Sequence, residues 1–162
     1  MNLIVAVDKK WGIGKDGGLL AHVPGDMKYF KEMTTGKVVV MGRKTLESMP
    51  GKKGLPNRIN YVLTTKEDYE VEGCSIVHSE EELFGAISKY EPDEVFLIGG
   101  AALYNAYYNL CDKLYITKMD ADLGADTFIV NIDEDPDYKV TSESEVYSEN
   151  GIDYRFCVYT KV

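Results

Sequence analysis

The sequence predicts an α/β protein with a mixed, mostly parallel central sheet flanked by helices and an antiparallel C-terminal hairpin. Runs that are apolar at every position recur along the chain, and such runs are typical of strands covered on both faces. Segments with helical start signals lie between them, which is the alternation expected around a parallel sheet. Near the end, Asn150-Gly151 joins two strand-like segments, and this dipeptide favours a tight hairpin turn.

The first half of the chain contributes two strands and two helices. The first apolar run is 3–7, and 38–41 repeats its pattern. Between them a helix is predicted to begin at Pro24, because proline is favoured at the first helical position. After the second strand the chain turns at Gly42 into a short predicted helix at 43–49. These elements form a βαβ unit followed by a second helix.

The next part continues the alternation of strand and helix. A strand is predicted at 59–65. Ser79, followed by Glu82, forms a capping-box start for a helix that runs to about residue 89. A strand at 95–98, a helix at 101–110 and a strand at 113–121 complete this part.

The C-terminal part of the chain has a different character. Between Asp120 and Glu149 the only basic residue is Lys139, so a solvated loop and sheet edge is predicted there. Segments 145–147 and 152–159 are the two arms of the hairpin, so the sheet is expected to close with antiparallel strands. Right-handed crossovers bring the carboxyl ends of the parallel strands to one side, where ligands of such folds bind.

The composition predicts a single domain, 1–162, of a cytoplasmic protein. A net charge of -9 argues against a general binder of nucleic acid or of anionic membranes, since both need a basic surface. The three cysteines form no C-x-x-C pair and neither histidine has partners at ligand spacing, so no disulfide framework and no metal site is predicted. No apolar run is long enough for a signal peptide or a membrane span. A monomer is expected.

Asp26 is the first candidate functional residue. At 3.6 residues per turn it shares a helix face with Phe30 and Met33, whereas Lys28 and Glu32 take the opposite face. A first-turn aspartate can simply complement the helix dipole. Alternatively, desolvation disfavours the charged form of a lone carboxyl in an apolar stripe, which can then bind or protonate a ligand. The helix alone leaves both interpretations open.

Gly12, Gly14 and Gly17 match the G-x-G-x-x-G dinucleotide fingerprint after the first strand. In a Rossmann fold the last glycine opens a helix whose N-terminus meets the pyrophosphate. Here the chain continues as a loop as far as Pro24, which argues against that interpretation. A long, glycine-rich loop indicates instead a mobile lid over a site.

Two turns at strand ends have the composition of phosphate sites, Gly42-Arg43-Lys44-Thr45 and Gly99-Gly100-Ala101-Ala102. A third segment, Thr64-Thr65-Lys66, follows a neighbouring strand. Glycine at one such turn is often only a matter of backbone geometry, but backbone N–H groups there can also bind phosphates. Two such turns in one sheet, with the third segment beside them, indicate a dinucleotide stretched across the sheet edge. Arg43 and Lys44, with no acid in that place, favour NADP over NAD.

Arg58 follows Leu55-Pro56-Asn57 and precedes the predicted strand at 59–65. By itself it could be an ordinary surface cation. An arginine fork also matches a carboxylate bidentately, so Arg58 is a candidate for binding an anionic end of a ligand.

A series of short motifs, each present once, extends along essentially the whole chain. They are Ile4-Val5-Ala6, Gly12-Ile13-Gly14, Val23-Pro24-Gly25-Asp26 with Phe30 and Thr34, Val40-Met41-Gly42-Arg43-Lys44-Thr45 with Glu47-Ser48, Leu55-Pro56-Asn57-Arg58, Ile98-Gly99-Gly100 with Tyr104, Leu114-Tyr115-Ile116-Thr117 and Asp126-Thr127. Their order and spacing resemble the dihydrofolate reductase family of the bacterial chromosomal type. The resemblance implies a dihydrofolate-reductase-like fold and the reduction of 7,8-dihydrofolate to tetrahydrofolate with NADPH, a step of one-carbon metabolism and an antifolate target.

The same resemblance implies roles for individual residues. Asp26 is the acid that hydrogen-bonds the pterin amide and promotes protonation of N5, with Thr117 behind it. The implied substrate contacts are Ile4, Val5, Ala6, Met27, Phe30, Met49, Leu55, Ile98 and Arg58, the last taking the glutamate α-carboxylate. The implied NADPH contacts are Ala6, Ile13, Gly14, Gly42, Arg43, Lys44, Thr45, Thr64, Thr65, Ile98, Gly99, Gly100, Ala101, Ala102, Leu103 and Tyr104. Hydride is delivered to C6, and no metal is implied.

The chain departs from the family pattern in and around the lid. Leu20-Ala21 stands where the family usually has Pro-Trp, Ala125-Asp126 where it has Gly-Asp, Ile129-Val130 where Phe-Pro is common, and Ala102 where an arginine sometimes supports the cofactor phosphates. Two other functions therefore stay open: a reductase of another pterin or of a pyrimidine, and a module that binds a nucleotide without chemistry. A purely structural α/β domain would leave the acid and the paired phosphate turns unexplained.

Overall fold

Eleven strands and four helices make up the computed structural model, which describes residues 1–162. The strands are β1 Asn2–Val7, β2 Gly12–Gly14, β3 Val38–Gly42, β4 Ile59–Leu63, β5 Cys74–Val77, β6 Val95–Gly99, β7 Lys113–Met119, β8 Thr127–Phe128, β9 Tyr138–Glu143, β10 Tyr147–Glu149 and β11 Ile152–Lys161. The helices are α1 Pro24–Thr34, α2 Arg43–Glu47, α3 Glu80–Ile87 and α4 Ala101–Tyr107. Short 3₁₀ turns lie at Pro50–Lys52, Pro92–Glu94, Tyr108–Leu110 and Ile132–Glu134.

The main sheet has nine strands in the order β10-β11-β7-β1-β6-β3-β4-β5, with β9 paired to β11 beside this path. All neighbouring strands from β7 to β5 in this order are parallel to each other. Strand β11 runs antiparallel to β7, β9 and β10. The predicted mixed, mostly parallel sheet with an antiparallel C-terminal hairpin is therefore confirmed. No helix in the structure has the length and apolar character needed to span a membrane.

Helices cover both faces of the sheet, and strand alternation explains why. Successive side chains of a strand point to opposite faces, so Val38 and Val40 join one apolar cluster while Val39 and Met41 join another. The first cluster includes buried side chains of α3 and α4. The second lies under α2 and is covered by α1. Because both faces are buried, the central strands need apolar residues at every position.

The parallel strands end together at one edge of the sheet. Met41 of β3 lies opposite Val62 of β4 and Gly99 of β6. Helices α2 and α4 begin directly after β3 and β6. This edge therefore collects the strand-to-helix turns, as expected for ligand sites in parallel sheets.

The capping box of α3 is present, with one change of partner. The Ser79 side chain accepts a hydrogen bond from the Glu82 N–H (3.1 Å), as predicted. The Glu82 carboxylate accepts from the His78 N–H (2.8 Å), one residue before the cap. Both amides would otherwise lack an intrahelical partner.

Several predicted boundaries lay beyond the observed ends of the elements, and four strands were not predicted: the short β2, β5 and β8, and β9, which lies in the segment predicted as solvated loop and sheet edge. The predicted strand at 59–65 ends at Leu63, the helix at 43–49 ends at Glu47, and the helix at 101–110 gives way to a 3₁₀ turn after Tyr107. Strands β5, β2 and β8 span only two to four residues each. Such lengths carry little periodicity, so their pairing depends on partners distant in sequence.

Candidate active site

Asp26 lies in the first turn of α1 and faces β7. Its Oδ1 accepts a hydrogen bond of 2.6 Å from the Oγ1 of Thr117, a residue that is only 2% exposed. Burial raises the pKa of Asp26 above its ordinary value, and the hydrogen bond from Thr117 acts in the opposite direction. The carboxylate makes no bond to an amide of its own helix turn. This geometry favours a ligand-directed acid over a residue that merely caps the helix.

An apolar wall adjoins this acid on the same face of the sheet. Ile4 and Ile98 are buried there, and the half-buried side chains of Phe30, Met49 and Leu55 pack against the same cluster. The wall therefore combines two central strands, the site-facing side of α1 and the segment after α2. It brings together five of the nine residues that the resemblance assigned to substrate.

Three other residues assigned to substrate lie outside this wall. Val5 packs against the cluster on the opposite face of the sheet, because it alternates with Ile4 along β1. Ala6 packs beside Val23 in a third, smaller cluster. Met27 is 46% exposed, although it shares a helix face with Phe30.

Arg58 lies at the other end of α1 from the acid. Its Nε donates to Thr34 Oγ1 (3.0 Å), and its Nη1 donates to the Pro56 carbonyl (3.2 Å). No carboxylate lies within ion-pair distance of the guanidinium, in contrast to Arg43. The Arg58 guanidinium is therefore held in place and can still bind an anionic group of a ligand.

The two predicted phosphate turns lie against each other at the carboxyl edge of the sheet. A Cβ placed on Gly99 would lie 3.1 Å from Thr45 Oγ1, and one on Gly100 would lie 3.3 Å from it. Gly99 also has a φ of 137°, which side chains rarely tolerate. The glycines thus let the backbone and the Thr45 hydroxyl approach closely and form a cradle. A small polar cradle of this kind fits the phosphates of a dinucleotide.

The cations beside this cradle differ in how they are engaged. Arg43 forms an ion pair of 2.8 Å with Glu47 on the next turn of α2, and Tyr69 donates to the same carboxylate (3.3 Å). Lys44 is exposed and has no acidic partner. Sequence reasoning missed Glu47 as a neighbour of the phosphate turn, although the spacing of four residues on a helix indicates such a pair.

The third segment lies at the end of β4, beside the first turn. Thr64 is buried and its Oγ1 accepts from the Lys66 N–H (3.2 Å), while Thr65 is exposed. His78 Nδ1 lies 2.9 Å from the Thr64 carbonyl oxygen. The sequence gives no local signal for this contact, because His78 follows β5, a strand that was not predicted.

Tyr104 connects α4 to the strand that carries Ile4. Its hydroxyl donates to the Ile4 carbonyl (2.8 Å), and both groups are buried. Burial raises the pKa of Tyr104, so the phenol stays a donor. Among the other predicted cofactor contacts, Leu103 approaches Gly42, with its Cδ1 3.5 Å from where a Cβ would lie.

The predicted lid is attached at its base. Asp8, which is 2% exposed, accepts hydrogen bonds from the amides of Gly12 (2.8 Å) and Leu123 (3.1 Å). Asp126 Oδ2 accepts from the Asp16 amide (2.9 Å), and β2 pairs with β8. Strand β2 includes Ile13 and Gly14, two of the predicted cofactor contacts, which are only half-buried. The segment thus begins as a short strand and not as the plain loop that was predicted.

The structure shows the surroundings of two departures from the family pattern, Ala125 and the absence of a tryptophan at Ala21. A Cβ on Gly12 would collide with the Cβ of Ala125, so the two small residues fit together. Trp11 is buried and packs edge-on against Tyr159, with ring centroids 6.2 Å apart. It belongs to the cluster on the other face of the sheet from the acid, so it does not take the place of a tryptophan at Ala21.

A parallel sheet that ends in a phosphate-type cradle, next to a half-buried acid on an apolar wall, is typical of α/β enzymes that work with a nucleotide. A family model described as "Dihydrofolate reductase" matches residues 1–161. The chain therefore belongs to the dihydrofolate reductase family and is an NADP-dependent oxidoreductase.

The chain is also similar to individual members of this family. Dihydrofolate reductase of Bacillus subtilis (strain 168) is 40% identical over 162 residues, covering 99% of this chain and 94% of the relative. That of Enterococcus faecium is 39% identical over 160 residues, covering 97% and 94%. A solved dihydrofolate reductase from Enterococcus faecalis, complexed with NADP(H) and RAB-propyl, superposes with a TM-score of 0.88 at 34% identity, covering 99% of this chain and 95% of that one.

Proposed function

We propose that this chain reduces 7,8-dihydrofolate to 5,6,7,8-tetrahydrofolate with NADPH, by hydride transfer to C6 and protonation at N5. Membership of the dihydrofolate reductase family supports the reaction class. The single observation that carries the residue assignment is the half-buried Asp26 carboxyl, held by Thr117 beside an apolar wall.

In this proposal Asp26 is the active-site acid. Thr117 occupies Oδ1 and leaves Oδ2 for the ligand, where the carboxyl hydrogen-bonds the pterin amide and promotes protonation of N5. Because burial raises the pKa of Asp26, the protonated form is more populated than in an exposed aspartate. A carboxyl with a raised pKa is the usual choice for a general acid near neutral pH.

The ligand would lie along α1. Asp26 and Thr34 are eight positions apart, which is about 12 Å along a helix axis. Arg58 is held at the Thr34 end. This separation suits a molecule with a polar ring at one end and a carboxylate at the other. In the proposal, Arg58 takes the glutamate α-carboxylate, and Ile4, Phe30, Met49, Leu55 and Ile98 contact the rings.

NADPH would occupy the carboxyl edge of the sheet. The cradle of Thr45, Gly99 and Gly100 fits its phosphates, since only glycine leaves room there. Arg43 and Lys44 would balance the negative charge, Thr65 would help to hold the phosphates, and Thr64 would contact the cofactor beside it. Bound NADPH supplies the hydride that reduces the substrate. The relative from Enterococcus faecalis that was solved with NADP(H) supports this assignment.

The test is an assay of purified protein with NADPH and dihydrofolate, followed at the nicotinamide absorbance band. Substrate-dependent oxidation with tetrahydrofolate as product is the expected outcome. Turnover of a different pterin or a pyrimidine, with no competition by folate analogues, would indicate another reductase. Tight NADPH binding without any turnover would indicate a binding module and would refute the proposal.

The proposal also includes a cytoplasmic monomer with one domain over 1–162. The three cysteines are all free in the structure, and two of them are buried. Reduced thiols are usual in the cytoplasm. Sedimentation analysis at several concentrations would test the oligomeric state, and a concentration-dependent dimer would refute it.

A further inference from the structure

The start of α1 is held by the C-terminal hairpin, far away in the sequence. The N-cap residue, Val23, has no side chain that can accept a hydrogen bond, and Pro24 has no N–H to offer. The Asp26 and Met27 amides bond to the Val23 carbonyl (3.0 and 3.1 Å). The Gly25 amide is therefore the one N–H of this turn that needs an outside acceptor.

Glu149 supplies that acceptor. Its Oε1 accepts from the Gly25 N–H (2.8 Å) across 124 positions of sequence, and the Tyr154 hydroxyl donates to the same oxygen. A Cβ on Gly25 would collide with both groups, so glycine is required for this approach. Burial and the Glu149 carboxylate raise the pKa of Tyr154 to about 12, which keeps the phenol a donor at neutral pH.

A second contact on the same side fixes the rotation of α1. Tyr29 lies one turn after Gly25, on the same helix face, and stacks on Phe156 with ring centroids 4.1 Å apart. Phe156 lies opposite Thr117 in the pairing of β11 with β7. Strand β11, the neighbour of the strand that holds the Asp26 carboxyl, thus carries Tyr154 and Phe156, and β10 beside it carries Glu149.

We propose that Glu149, oriented by Tyr154, is a positioning residue for the acid: it anchors the first turn of α1 through the Gly25 amide and so sets where the Asp26 carboxyl meets the substrate. The inference rests on the proposed function for its kinetic consequence. It needs no contact between Glu149 and any ligand, because it acts through the backbone one residue before the acid.

The decisive comparison is between Glu149→Gln and Glu149→Ala. Glutamine keeps an oxygen that can accept from the Gly25 amide but removes the charge, whereas alanine removes both. If Glu149 positions the acid, kcat should depend on whether residue 149 can accept the hydrogen bond from the Gly25 amide. We expect a kcat near the wild-type value for Glu149→Gln. For Glu149→Ala we expect kcat to be lower by roughly tenfold, since small misplacements of a reacting group are costly. The dissociation constant for NADPH should change by less than about twofold in both, because the cradle is remote from the hairpin. Glu145→Ala is the matched control, since Glu145 is exposed and precedes the same hairpin.

Readouts that need no turnover separate this inference from the proposed function. The carbon-13 signal of the Asp26 carboxyl and the amide signal of Gly25 should both move in Glu149→Ala and stay in place in Glu145→Ala. The side chains whose pKa responds to the Asp26 charge are the phenols of Tyr29, Tyr104 and Tyr154. None of them ionises near neutral pH, so they do not confuse the titration of Asp26. If the wild-type protein fails to reduce dihydrofolate, these spectra still test the positioning.

Three outcomes would overturn the inference. They are an unchanged kcat and Asp26 signal in Glu149→Ala, an equal loss of kcat in Glu149→Gln and Glu149→Ala, or a similar loss in the Glu145→Ala control. If Glu149→Ala does not fold, Tyr154→Phe replaces it, because that change keeps the ring and removes only the donor to Glu149. We expect kcat to fall by roughly threefold there, with a shifted Asp26 carboxyl signal. A wild-type kcat and signal in Tyr154→Phe would overturn the inference equally.

Discussion

Asp26→Asn isolates the acid from the rest of the site. The amide has the shape of the carboxylate and keeps an oxygen that can accept the 2.6 Å hydrogen bond from Thr117, so the helix and the apolar wall should stay in place. What is lost is the only carboxyl on this wall that can hold a proton. General acid–base catalysis contributes typically about 10²–10⁴-fold, which corresponds to about 3–5 kcal/mol of transition-state stabilisation. We therefore expect kcat at neutral pH to fall by that factor.

The assay is the oxidation of NADPH at saturating dihydrofolate from acidic to weakly basic pH. The deficit of Asp26→Asn should shrink toward acidic pH, where solvent can protonate the substrate without the carboxyl. Circular dichroism and NADPH titration provide the controls for fold and cofactor site. A variant with wild-type kcat at neutral pH, or with a deficit that is the same at every pH, would refute the assignment of Asp26 as the acid.

The remaining predictions concern stability, substrate, cofactor and core. Burial raises the folded-state pKa of Asp26 above its ordinary value of 3.8, so its contribution to stability is present below that value and is lost as the pH rises through the folded-state pKa. The Tm of Asp26→Asn relative to wild type should therefore increase from acidic to neutral pH, and a constant difference in calorimetry would contradict this. Arg58→Leu should raise the KM for dihydrofolate by roughly 10- to 100-fold with little change in kcat, as expected for the loss of a charged hydrogen bond made equally in ground and transition states. Lys31→Ala is its control, and an unchanged KM would argue for a plain surface cation. NADPH differs from NADH by the 2′-phosphate, which Arg43 is expected to bind. Arg43→Ala should therefore weaken NADPH binding by roughly tenfold and leave NADH binding unaltered in fluorescence titrations. An equal loss for both cofactors would contradict this role. Leu46 lies in α2 and its side chain is fully buried. Leu46→Ala should lower the free energy of unfolding in urea by about 2–5 kcal/mol, and a loss below about 1 kcal/mol would show that the neighbouring side chains close the cavity.

The central sheet was predictable because its signals are local. The all-apolar runs at β1, β3 and β6 follow from burial on both faces, and Pro24 marks the start of α1 as predicted. Strand β5 escaped prediction, since four residues beside a turn-rich segment carry too little pattern. The same holds for β2 and β8, which form a strand pair only because each meets a partner more than a hundred residues away.

The site was predictable as a set of residues and less so as a set of contacts. Asp26 was ambiguous within its own helix, and the hydrogen bond that favours the ligand-directed interpretation comes from Thr117, 91 positions later. The bond of Asp8 to the Leu123 amide and that of Glu149 to the Gly25 amide had no sequence signal, because each joins segments more than a hundred residues apart. Such pairings depend on the folded geometry, which neither periodicity nor composition encodes locally.

The predicted lid is bonded to the rest of the protein at Asp16 and at His22, and the short segment between these two residues is a place where the chain can be modified. Asp126 bonds the Asp16 amide, and the Asn150 side chain bonds the His22 carbonyl (3.0 Å). Between them, residues 17–21 form no hydrogen bond outside the lid; Leu20 and Ala21 are half-buried, whereas Leu19 is 75% exposed. Exposed tips of this kind are where proteases cut first and where inserted sequence is best accepted. The pair Leu20-Ala21 ends this stretch, and Ala21 packs against the cluster of Val23, Met119 and Tyr154, so a reporter peptide placed at Leu19 should leave the fold intact.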